Sequence, residues 1–226
     1  MNQIQKMESL ATGRGVEKVM ESINTPDKSK KTKGMSKTNY LTKTAIMGVM
    51  AFVIMTVEFP LPMFAPFLKI DFSDVPALLA GFALGPSAGI MVEVIKNFLH
   101  AFRTQTAFIG ECANLVTGIL LVAPAAWIYS KEKTKTNAVK GLVAGTIIMA
   151  LGMSFVNYYV VVPLYQKLLN IPTTAIVAMG SQINPRIVDL RTLVVYSILP
   201  FNVVKGIMVT IVTVLIYKKL SPILHR

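Results

Sequence analysis

The 226-residue chain is 53% apolar and only 15% charged, so it lacks the polar surface that a soluble domain of this length needs. Its formal charge of +12 would suit a nucleic-acid partner, but the Lys and Arg residues flank apolar runs instead of striping one face, as in the cytoplasmic loops of membrane proteins. The single Cys112 excludes an internal disulfide framework, and with only His100 and His225, far apart in the chain, no metal site is expected.

Residues 1–40 hold no apolar run and are rich in Lys, Ser, Thr and Gly, so they are expected to form a mobile basic cytoplasmic tail. They do not read as a signal peptide, because no apolar core follows their basic residues before Leu41. A first span over residues 41–57 approaches the roughly 20 residues needed to cross a bilayer. It stops at Glu58-Phe59-Pro60-Leu61-Pro62, where two prolines remove backbone donors. The connection 63–72 is apolar for a water-facing loop and is expected to pack down onto the rest of the molecule.

Ser73-Asp74-Val75-Pro76 reads as a helix start, with a Ser cap, an acid at the positive end of the dipole and Pro in the first turn. The apolar stretch 77–95 is either one span or a hairpin turning at Gly85-Pro86. The positive-inside rule favours the hairpin, because one span would put Lys131, Lys133, Lys135 and Lys140 opposite the basic N-terminus. The cost is a second helix of only about twelve residues, roughly 18 Å long, which part of the preceding loop is expected to extend. Further spans follow at 87–102, 108–129, 139–165 and 192–217, and Lys218, Lys219 and Arg226 close the chain on the cytoplasmic side. Residues 166–191 form the longest outside loop, with a short interfacial helix expected over 172–182. The expected fold is an all-α membrane protein, a bundle of six transmembrane helices over 41–220 with both ends inside, the last residues 221–226 being cytoplasmic.

Polar side chains inside a bilayer are costly, so each is a candidate for function. With this orientation Glu93 falls near mid-membrane, while Lys96, Asn97, Glu111, Asn114, Asn157, Tyr158, Asn202 and Lys205 fall in the outer half. The inner halves are nearly all apolar, a pattern that suits a substrate cavity closable from outside better than an ion relay strung across the full thickness. Interhelical hydrogen bonding would account for any one of these amides alone. Glu93 and Lys96, three residues apart, are expected to pair with each other. Asn202 and Lys205 share a face behind Pro200, where an unpaired carbonyl and a kink can line a cavity. Cys112 is expected to be a small buried side chain. No hydrolase motif or phosphate-binding glycine loop appears, so the chain reads as neither an enzyme nor an ATPase, and ATP-driven transport would need another chain.

Several long motifs carry a resemblance. They are Phe59-Pro60-Leu61-Pro62, Leu68-Lys69-Ile70-Asp71-Phe72-Ser73-Asp74-Val75-Pro76-Ala77-Leu78, Gly81-Phe82-Ala83-Leu84-Gly85-Pro86 and Val92-Glu93-Val94-Ile95-Lys96-Asn97. Gly110-Glu111-Cys112-Ala113-Asn114, Asn157-Tyr158, Pro163-Leu164-Tyr165 and Pro200-Phe201-Asn202-Val203-Val204-Lys205-Gly206 continue them, over residues 43–220. In these the chain resembles the substrate-binding S components of energy-coupling factor (ECF) vitamin transporters, specifically the riboflavin-specific ones. The resemblance implies a six-helix protein of the bacterial cell membrane that binds riboflavin as cargo, without a cofactor. It also implies partners, a transmembrane coupling subunit and two cytoplasmic ATPases. Carried over by position, Asn157, Asn202 and Lys205 would contact riboflavin and Met63 and Phe64 would cover it, with Glu111 and Asn114 as further candidates at the same level. An Asn amide matches the imide edge of a flavin, and Lys205 offers donors to carbonyl or hydroxyl oxygens.

Members of that family present Ala-x-x-x-Ala on the first helix for the coupling subunit. Here Ala45 is followed four residues later by Val49, with Gly48 and Ala51 as the other small positions. The same fold with another vitamin, and a carrier or channel working alone, remain the alternative readings.

Overall fold

Apolar helix formers dominate the sequence, and the computed structural model, which describes residues 36–224, is almost wholly helical. The expected tail lies outside the described residues up to position 35, as do the last two positions. From Tyr40 onward the chain forms one unit.

Helix α1 (Lys37–Met55) buries Thr44, Gly48, Ala51 and Met55, a stripe at helical spacing. It starts before the expected residue 41 because the Ser36 hydroxyl accepts the Asn39 N–H at 3.5 Å. It ends before residue 57 because Thr56 and Val57 turn back, the Thr56 hydroxyl donating to the Val53 carbonyl at 2.6 Å. The outward face carries Ile46, Val49, Met50 and Val53, all about half exposed. Farther along the chain Val143, Ile147, Leu151 and Phe155 are exposed in the same way at helical spacing, an apolar exterior that suits lipid and not water.

Two short strands, β1 (Phe59–Pro60) and β2 (Lys69–Ile70), pair antiparallel with Phe59 opposite Ile70. The sequence reading missed this ladder, which an ion pair between Glu58 and Lys69 supports. It bends the loop back over the bundle, and Phe64, Ala65, Leu68 and Ile70 are buried, as the loop's apolar character suggested.

Helix α2 (Asp74–Leu84) is buried all round from Asp74 to Phe82 and forms the centre of the bundle. The preceding loop does not lengthen it: the helix begins at Asp74, and Asp71 accepts the Ser73 N–H at 2.8 Å in a turn just before it. Ser73 holds the cap position without capping, because its hydroxyl is bound to Asp71 instead. The chain does turn at Gly85, whose φ of 104° only glycine adopts freely, and Pro86 opens α3 (Pro86–Ala101).

Helices α4 (Ile109–Lys131) and α5 (Lys135–Leu169) follow, then the short α6 (Thr173–Ser181) and α7 (Leu190–Tyr217), whose last helical turns continue to Leu224. A capping box between Asp189 and Thr192 starts α7, and the Thr192 backbone and hydroxyl hydrogen bonds hold the Asp189 carboxyl below its ordinary range. Helices α1, α4, α5 and α7 are long and apolar enough to cross a membrane. With 11 residues, α2 rises only about 16 Å.

One end of the bundle gathers the start of α1 and of α3, where Tyr40 and Ser87 hydroxyls meet at 3.0 Å. There too the ends of α2, α4 and α7 converge: Tyr129 and Tyr217 share a 2.7 Å hydrogen bond, with Phe82 packed on both rings. The β ladder lies at the other end with α6, Phe64 of its loop meeting Phe201 of α7 edge to face at 5.5 Å.

Close packing of α4 on α5 depends on glycine. A Cβ on Gly141 would stand 2.5 Å from the Ala125 carbonyl, and one on Gly145 would strike that of Leu121. Both obstacles are backbone and cannot rotate aside. Gly145→Val is expected to cost about 1–3 kcal/mol by overpacking, read as a lower unfolding midpoint in detergent. An unchanged midpoint would show that α4 yields there.

Candidate ligand-binding site

Two prolines shape the site. Pro163 and Pro200 lack the N–H of a regular helical turn and crowd the carbonyl four residues back. The preceding residues reach one further: Val162 N–H bonds to Asn157 C=O and Leu199 N–H to Val194 C=O. The result is a π turn in α5 at Asn157–Val161 and another in α7 at Val194–Ile198, features common at functional sites. Asn157 opens the first turn and Asn202 follows the second. Each amide is oriented by its own helix, Asn157 Nδ2 donating to Met153 C=O and Asn202 Nδ2 to Ile198 C=O, both at 2.8 Å.

Both asparagines line a cavity of about 380 Å³ at the β-ladder end of the bundle, within the range of small-molecule sites. Its walls come from the ends of α1 and α3, the start of α4, the second half of α5, α6 and α7. Glu111, Asn114, Asn157, Asn202 and Lys205 all line it, so five of the seven expected side chains converge. Met63 and Phe64 do not: Met63 is 66% exposed, and Phe64 is buried against Phe201. Phe67, Leu68 and Lys69 are the loop residues that reach the cavity. Residues 64–70 are apolar at every position except Lys69, so no alternation marks which of them faces inward, and the turn that decides it was not legible.

Apolar walls are supplied by Met55, Met153, Val161, Ile176 and Phe201, and polar character concentrates on a few groups. Asn114 lines the cavity, and its carbonyl oxygen is buried with no hydrogen-bond partner among the described residues. Glu111 is engaged within the protein. It accepts from Thr104 at 3.0 Å and from Thr106 at 3.2 Å, and meets His100 Nδ1 at 3.1 Å. It thereby folds the 102–108 connection, where Ala107 and Phe108 take positive φ. Cys112, one residue on, is exposed on the outside of α4, contrary to the buried position expected for it; the helix turns it about 100° from Glu111.

Beneath the cavity lies a buried ring of ions. Lys205 Nζ donates to Asp71 Oδ2 at 3.2 Å and lies 3.3 Å from Asp74 Oδ2. Lys96 Nζ pairs with Asp74 Oδ1, donates to Ser73 Oγ at 2.8 Å and lies 2.8 Å from Glu93 Oε2. The Glu93–Lys96 pair was legible at three-residue spacing. The parts of Asp71 and Asp74 were not, although two lysines in apolar helices called for more than one carboxylate. Gly118 of α4 makes room for Glu93, whose carboxylate stands where a Cβ would project.

On α1 the small Gly48 and Ala51 face inward, a Cβ on Gly48 falling 2.6 Å from Ile95 of α3. They are used within the bundle, and the outward stripe consists of Ala45, Ile46, Val49 and Val53.

Comparison with known proteins agrees with this architecture. The family model described as "ECF transporter, substrate-specific component" matches residues 39–217. The riboflavin transporter RibU of Staphylococcus aureus (strain TCH60) is 34% identical over 192 residues, 85% of this chain and 95% of that protein. The riboflavin transporter FmnP of Bacillus subtilis (strain 168) is 38% identical over 189 residues, 82% and 94% of the two chains. A solved structure, reported as the S component of a bacterial ECF transporter, matches with a TM-score of 0.67 at 32% identity, over 84% of this chain and 100% of that one. The chain therefore belongs to the substrate-specific components of ECF transporters, a family of membrane transport proteins and not of enzymes.

Proposed function

We propose that this chain captures riboflavin from outside the cell and delivers it through an ATP-driven complex. The observation that carries the reading is the convergence of Asn157, Asn202 and Lys205 from α5 and α7 on one cavity of ligand size. Two relatives above 30% identity, matched over nearly their whole length, are named riboflavin transporters. Oriented Asn amides suit the imide edge of a flavin, Lys205 supplies a donor to a ring carbonyl, and methionine and aromatic walls suit the ring faces. Glu111 holds the mouth, and Asn114 lines the cavity beside it. Met63 and Phe64 would act with their loop, Phe64 by anchoring it.

In this reading the protein spans the bacterial plasma membrane six times, α2 and α3 forming the short hairpin, with both ends in the cytoplasm. Support comes from Lys131, Lys133, Lys135 and Lys140 at the α4–α5 connection, on the side of the bundle opposite the cavity. The implied partners are a transmembrane coupling subunit and two cytoplasmic ATPases, with α1's outward stripe available to the first. The Tyr129–Tyr217–Phe82 cluster packs the end of the bundle opposite the cavity, which favours a substrate-capturing subunit over a carrier working alone.

Titration of the purified chain with riboflavin, followed by quenching of flavin fluorescence, is the test. Saturable binding below micromolar concentration is expected. Its absence, with tight binding of another vitamin, would transfer the same site to that cargo. Appreciable uptake by liposomes holding this chain alone would remove the need for partners.

A further inference from the structure

Lys205 stands where the cavity meets the buried ion ring, and its neighbours determine what kind of donor it is. Its Nζ is hydrogen-bonded to Asp71 at 3.2 Å and faces Asp74 at 3.3 Å. Asp71 is itself fixed by the N–H and hydroxyl of Ser73, the Ser73 hydroxyl accepts from Lys96, and Lys96 closes the ring on Asp74. Every member is at most 3% exposed. An ammonium group with no carboxylate beside it presents an unbalanced positive charge that attracts anions. With a carboxylate on two sides its charge is balanced, its position is set, and donor capacity remains for the cavity.

We infer that Asp71 and Asp74 are positioning residues for ligand recognition. They offset the charge of the Lys205 ammonium and fix its direction as a hydrogen-bond donor, matching the site to an uncharged carbonyl acceptor and not to an anion. The inference rests on the riboflavin reading, since the flavin ring carbonyls are such acceptors. Because Asp71 directly follows β2 while Lys205 belongs to α7, the same contact ties the first loop to the helix that carries Asn202.

Asp71→Asn is the informative variant. It leaves Asp74 and Glu93 facing Lys96 and Lys205, two carboxylates to two ammonium groups where the wild type has three, so each ammonium keeps a carboxylate neighbour and the protein is expected to fold. Riboflavin affinity is expected to fall about tenfold in D71N but by less than about twofold when D71N is added to Lys205→Met, the signature of a residue that acts through its neighbour. The visible absorption band of bound flavin follows hydrogen bonding at the ring carbonyls. It is expected to shift between wild type and D71N, and not between K205M and the double variant. Equal losses in both backgrounds, or an unmoved band, would overturn the inference and leave Asp71 a packing role. A ligand-free arm separates this from the cargo: deuterium exchange over residues 64–73 is expected to rise about tenfold in both D71N and K205M as the loop is released. Unchanged exchange would remove the contact from solution, whereas failure of the wild type to bind riboflavin would sink the proposed cargo alone.

Discussion

Lys96→Met is expected to destabilise the protein by about 3–5 kcal/mol, the cost of removing one partner from a buried ion pair. Lys96 is fully buried and is the near neighbour of both Asp74 and Glu93. Without it, Glu93 keeps no ammonium at ion-pair distance among the described residues, and Asp71 and Asp74 share Lys205 alone, inside a bundle where burial makes an unpaired charge costly. The consequence extends past the pair, since Ser73 and Asp74 lie where the first loop enters α2. Thermal unfolding in detergent checks this, and adding Asp74→Asn to Lys96→Met is expected to recover part of the loss. A Lys96→Met midpoint equal to wild type would mean that the ring contributes nothing to holding α2 and α3 together.

Asn157→Ala and Asn202→Ala are each expected to weaken riboflavin binding by about 1–3 kcal/mol, the cost of leaving a buried polar group of the ligand without its partner. In affinity this is roughly five- to 150-fold. Both amides donate to carbonyls of their own helices, so truncation removes a ligand contact without separating two helices. Unfolding midpoints close to wild type should therefore accompany the weaker binding. If both variants bound riboflavin as wild type does, the asparagines would be ordinary helix-packing amides and the cavity would have to recognise its ligand through other groups.

Much of this molecule is legible residue by residue. The alternation of long apolar runs with basic connections anticipates the helices, and Gly85-Pro86 marks a break that the backbone makes with a φ of 104°. Five of the seven proposed site residues converge because costly polar side chains in apolar helices are retained for contacts, and helix direction sets their depth. The loop was less legible. Its short ladder pairs Phe59 with Ile70 across ten residues whose register no local pattern specifies, so Phe64 turns to the core while Phe67 and Lys69 reach the cavity. The π turns were half visible in Pro163 and Pro200: a missing N–H predicts a disturbed turn, but not which carbonyl its neighbour will find.

By itself, then, the sequence determined an apolar helical chain, the order and approximate ends of its helices, and the level at which its polar groups lie, because these follow from hydropathy, charge placement and backbone chemistry along the chain. Only the tertiary structure decided which polar groups meet. Asp71 and Lys205 are far apart in sequence yet in contact, and Gly118 is empty because Glu93 of another helix occupies its space. Partner choice among buried charges depends on distance in three dimensions, where each carboxylate takes the nearest ammonium that packing permits.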